Sequence, residues 1–214
     1  MFKPKAAVAA AALIGLTLAG CSREGEITST GIISTYTACP AVAIAAPTGD
    51  ITLFDPPQSR DASAIDVVAT MTNVRSTCNE AGENIVTTAS FDVQARRRDR
   101  GQAREVVVPY YAAVVQGGQN VVTKSVANVV LRFAEGQDRA SARGTATSQV
   151  LRSAATLPED IRRQVTRERR PGDADAALDP FADPAVRAAV QRASFEVLLG
   201  FNLSEEQLRY NATR

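Results

Sequence analysis

The chain predicts a mainly β fold: an immunoglobulin-like β-sandwich of seven or eight strands with C-terminal helices packed on it. Apolar residues recur at every second position, most clearly in Ile85, Ala89, Phe91 and Val93 set between polar neighbours, as in a strand with one wet face. Turn signals separate these runs at Asp55-Pro56-Pro57, Gly117-Gly118 and Glu135-Gly136-Gln137-Asp138. After Leu157 the pattern changes from strand alternation to helix starts. Short strands punctuated at this spacing fit a sandwich.

The first element is a targeting segment. Lys3 and Lys5 precede the apolar run Ala6 to Ala19, which is shorter than the roughly 20 residues a membrane span needs. It closes on Leu18-Ala19-Gly20-Cys21, which resembles the lipobox of bacterial lipoproteins. That resemblance implies cleavage of residues 1–20 and a mature chain beginning at a lipidated Cys21. Ser22, where an aspartate tends to retain such proteins at the inner membrane, points to the outer membrane, with the inner membrane as the alternative. Residues 21–30 read as a polar tether, 31–157 as the sandwich and 158–214 as a helical extension.

The strands follow in order. Ile32 to Thr37 and Ala41 to Ala45 flank Cys39, and Ile51 to Phe54 ends at Asp55-Pro56-Pro57. Ala64 to Arg75 carries Ile65, Val67, Ala69 and Met71 on one side, and Ile85 to Ala95 is the clearest strand. Arg104 to Val115 contains Pro109, which lacks a ladder donor and suggests an edge or a bulge. Asn120 to Phe133 and Arg139 to Leu151 are expected to pair as a hairpin through the turn at 135–138.

Pro158-Glu159-Asp160 opens a short arginine-rich helix expected to run to about Arg170, with acids at the positive end of the dipole. Asp183 as N-cap and Pro184 at the first position start the strongest helix, expected over 184–200. Its apolar stripe is Val186, Val190, Ala193, Val197, Leu198 and Phe201. Ser204 begins a last turn or two.

Losing Lys3 and Lys5 turns the net charge of +1 into −1, a poor match to nucleic acid, and every remaining basic residue except Lys124 is arginine. Without Cys21 the remaining cysteines are Cys39 and Cys78, an even pair that argues for a disulfide in an exported domain. The chain has no histidine, so it holds no Ser-His-acid arrangement and no histidine-ligated zinc or haem. No G-x-S-x-G, phosphate-cradling glycine loop or S-x-x-K occurs either. Asp173, Asp175, Asp179 and Asp183 partly imitate a calcium loop, but Ala177 and Pro184 stand where ligands belong. The expectation is therefore no catalytic residue, no metal and no cofactor.

Arg96, Arg97, Arg98 and Arg100 form one candidate interaction surface, Arg162, Arg163 and Arg167 another, and Tyr110-Tyr111 a third, although such tyrosines more often pack at a core margin with their hydroxyls wet. Each arginine cluster is also open to neutralisation by nearby acids such as Asp99, Glu105 and Asp160. The segments VRSTC (74–78), ATLPEDIRR (155–163) and EEQLRYNATR (205–214) resemble small envelope lipoproteins of alphaproteobacteria, a resemblance that brings no chemistry to transfer. The function expected is a lipid-anchored, periplasm-facing binding or assembly module with an envelope protein as partner. The alternatives are a small-ligand or lipid carrier with a pocket under the 184–201 helix, and a polysaccharide hydrolase using carboxylates such as Asp92, Asp99 and Glu105.

Overall fold

A computed structural model describes residues 26–28, 31–33, 37–167, 172–174 and 178–213. The targeting segment 1–20 and Cys21 lie outside the described residues, as do Arg169, Arg170 and Asp175. Within the stretch read as tether and first strand, β1 (Glu26–Thr28) and β2 (Gly31–Ile33) pair as an antiparallel hairpin. The β-branched residues Ile27, Thr28, Ile32 and Ile33 favour that extended backbone.

Eight further strands make two four-stranded sheets. One has the order β3 (Ala41–Ile44), β10 (Phe195–Phe201), β7 (Arg104–Gln116), β8 (Asn120–Phe133). The other runs β4 (Asp50–Phe54), β5 (Ile65–Asn79), β6 (Asn84–Arg97), β9 (Arg139–Leu151). Among the described strands only β10 with β3 is parallel, so the first sheet is mixed. The two sheets share one core, in which Phe91, Ile85 and Val67 of one meet Leu131, Phe133, Leu199 and Phe201 of the other. Three helices follow on the C-terminal side: α1 (Glu159–Thr166), α2 (Pro184–Ala193) and α3 (Glu205–Thr213). Among the described residues no helix is long and apolar enough to cross a membrane.

Asp183 does cap α2, accepting from the Ala185 amide at 2.8 Å. The helix then stops at Ala193, and the expected span of 184–200 is corrected. Ser194 closes it, its amide bonding to Gln191 O and its hydroxyl to Val190 O. The next residues are a strand because Phe195, Val197, Leu199 and Phe201 alternate into the core, and large aromatic and branched side chains suit a pleated surface. Gly200 fits that position and an alanine would not: a Cβ there would lie 1.9 Å from Thr48 Oγ1 and 3.0 Å from Tyr111 Cε1. The apolar pocket imagined beneath a 184–201 helix loses its wall, since residues 195–201 are themselves sheet.

The β8–β9 hairpin is also corrected. Their bounds agree with expectation, but the turn at 134–138 carries the chain from one sheet to the other, where β9 pairs with β6. The small residues of β9 explain that choice. A Cβ on Gly144 would lie 2.2 Å from Phe91 Cζ, so only glycine lets the ring lie against this strand.

Pro109 lies in β7, an interior strand, rather than on a sheet edge or at a bulge. Its position is nonetheless physically clear. The β10 ladder ends at Phe201 opposite Tyr110, and the Asn202 amide donates to Pro109 O at 2.9 Å as the chain leaves. The missing N–H therefore faces the place where the neighbouring strand has stopped.

Candidate interaction surfaces

The first arginine cluster occupies the end of the sheets where β6 leads into β7 and β8 crosses to β9. Here the two-residue alternation of β6 separates neighbours. Val93, Ala95 and Arg97 point inward, whereas Arg96 and Arg98 point out. Arg97 is only 4% exposed. Its guanidinium donates to the carbonyls of Gln137 (2.7 Å), Gln102 (2.7 Å), Gly101 (3.0 Å) and Ala134 (3.1 Å) and lies 5.3 Å from the Phe133 ring centre. Arg97 is thus removed from the candidate surface. It joins the two connecting loops with charge-assisted bonds.

Its exposed neighbours are neutralised locally. Asp138 takes Arg100 at 3.3 Å and Arg96 at 3.5 Å, Arg98 pairs with Asp99 at 3.6 Å, and Arg104 pairs with Asp66 at 2.8 Å. Burial alone would raise the Asp138 carboxyl, but its backbone N–H and the Arg100 and Arg96 charges outweigh that and hold it below its ordinary value. Asp92, on the outer face, is held low first by the Asn73 side chain and then by Arg143. Glu105 pairs with Arg132 at 2.7 Å.

The second cluster sits on α1. Arg162 and Arg163 share Glu159, one turn before them. The helix ends at Thr166, short of the expected 170. Arg163 and Arg167 line an open cleft of about 580 Å³ with Asp160, Asp179, Asp183 and Val186. Two of those acids serve the backbone: Asp179 accepts from Phe181 N at 2.9 Å and Asp183 caps α2.

Tyr110 and Tyr111 fall on opposite faces, as consecutive strand residues must. Tyr110 is buried edge-on against Phe91 at 5.0 Å and donates to Thr145 O at 2.6 Å, so it belongs to the core and leaves the candidate surface. Tyr111 lies on the outer face, its hydroxyl 3.1 Å from Thr48 Oγ1, with the Lys124 ammonium 4.7 Å from its ring centre.

Cys39 and Cys78 are joined as a disulfide with Cα atoms 6.1 Å apart. Together with Glu80, their ligand atoms lie within 4.8 Å of one another. Two sulfurs bonded to each other lack the thiolate charge that holds a metal.

A surface absent from the sequence expectations lies on β8. Every residue from Asn120 to Asn128 is exposed, with Val121, Val122 and Val126 at 63%, 52% and 54%. β8 is an outermost strand of its sheet. The available signal was Lys124 standing alone among β-branched residues. No protein-family model, curated protein or solved structure matches the chain.

Proposed function

We propose that this chain is a lipid-anchored envelope protein facing the periplasm, whose β domain, immunoglobulin-like in plan, works as a non-catalytic binding or assembly module. The observation that carries this reading is Leu18-Ala19-Gly20-Cys21 at the end of a basic-then-apolar segment. Ser22 favours the outer membrane. A single acyl chain gives marginal attachment at about 0.8 kcal/mol per buried methylene, and a second makes it stable. The Cys39–Cys78 disulfide suits an oxidising compartment. A contact role is favoured over hydrolysis because Asp92, Asp99 and Glu105 each lie against an arginine on the surface. The partner is an envelope protein and not nucleic acid.

Intact mass of the protein extracted from membranes tests the anchor. The expected product begins at an acylated Cys21, and Cys21→Ser leaves the membrane fraction. A bare Cys21, or residues 1–20 retained on the product, contradicts the reading.

A further inference from the structure

The exposed half of β8 has a property its composition hides. Asn120-Val121-Val122-Thr123-Lys124-Ser125-Val126-Ala127-Asn128 reads nearly the same in both directions. About Lys124, Thr123 mirrors Ser125, Val122 mirrors Val126, Val121 mirrors Ala127, and Asn120 mirrors Asn128. An antiparallel pair of identical strands related by a two-fold axis places those residues opposite each other. We propose that this edge is an interface with a second copy of the chain, the two β8 strands pairing antiparallel about Lys124 to join two four-stranded sheets into one of eight.

The backbone is set up for this. Pro109 turns its carbonyl toward Asn202, away from β8, so its partner Asn128 forms no ladder bond to it and directs its own N–H and C=O to the free edge. By the two-residue alternation Val126 and Lys124 do the same. Among the described residues these groups have no strand beside them, a row of donors and acceptors on a strand of valine and threonine, the template that edge strands ordinarily have to blunt. The bulge opposite Val114 and Val115 makes Val122 the extra residue, and the mirror register sets it against Val126 of the second copy.

The one charge on the edge is kept off the seam. A lysine normally protects such a strand, and two facing lysines would repel. Here the Lys124 ammonium lies over its own Tyr111 ring and bonds to Asn202 Oδ1 at 3.1 Å. Tyr111 is fixed in turn by Thr48, and the absent side chain of Gly200 gives its ring space. Lys124 is thereby drawn across its own sheet, and the edge stays open.

The proposal deepens the assembly reading by naming the partner, and rests on it only for the contact role. It is tested on the full chain, both acylated in detergent and as Cys21→Ser, so that failure of the anchor and failure of the pairing are read separately. Lys124→Cys should form an intermolecular disulfide under oxidation in both forms, since opposed Cα atoms about 5.5 Å apart are within bonding range. Val126→Cys should form no intermolecular disulfide, because its counterpart lies about 13 Å further along the strand. Val126→Pro places proline where the N–H faces the free edge, so it should abolish the dimer in sedimentation while retaining the melting transition. The two cysteine variants decide the matter even where the proline variant fails to fold. An unaltered chain that sediments as a monomer at every concentration, a dimer that survives in folded Val126→Pro, or cross-linking at 126 in place of 124 overturns the proposal.

Discussion

The arginine-rich end and the β8 edge are opposites. At the first, Arg96, Arg97, Arg98, Arg100 and Arg104 each have a partner in the same chain, either a carboxylate or a set of loop carbonyls. At the second, nine successive residues carry a single charge, and their backbone groups toward the free side have no strand beside them among the described residues. A dense cluster of charge attracts attention as a recognition surface, yet charge is the property most readily satisfied from within. An edge strand's amides are left to water, a covering side chain or another strand.

The largest expected effect sharpens this contrast. Arg97→Ala removes the donors that hold both connecting loops and should destabilise the fold by about 3 kcal/mol in urea titration. Gly200→Ala should cost about 1–3 kcal/mol by forcing Thr48 and Tyr111 apart, and it should also release Lys124 and weaken dimerisation more at low salt than at high. By comparison, Arg96→Ala or Arg100→Ala should change stability by less than about 0.5 kcal/mol, since exposed ion pairs contribute little. A loss above that would break the comparison by making the surface arginines structural.

The smallest effect is in the acid limb. Asp138 and Asp92 titrate below the ordinary 3.8 in the folded chain, so the unfolded chain takes up their protons first as pH falls. Their stabilisation is complete above that value and is lost as pH drops through the lower folded values. Asp138→Asn should flatten part of the stability slope below pH 3.8, measured by chemical denaturation at stepped pH.

Much of the sheet was legible. The runs at Asn120–Phe133 and Arg139–Leu151 keep their expected bounds because glycine turns and charged residues delimit them. Their partners were not legible, because the same turn residues serve a hairpin and a crossover. What selects the crossover is Arg97, far away in sequence, and the space Gly144 leaves for Phe91. Residues 195–201 satisfied helical and strand periods together; Phe195, Val197, Leu199 and Phe201 at alternate positions, with Gly200 among them, were the better guide. Arg97 was readable as inward by continuing the alternation of β6, a signal overruled by its charge, whereas Tyr110 goes deeper than the core margin expected of it. The mirror symmetry of 120–128 was present throughout, but it acquires meaning only once β8 is known to be an edge.

Residue-resolved hydrogen exchange on the full chain across a concentration series tests the contrast most directly. The amides of Lys124 and Val126 should become protected as concentration rises, while those of Arg96 to Arg100 stay unchanged. Protection that grows at the arginine-rich end, with β8 exchanging freely at every concentration, would contradict it.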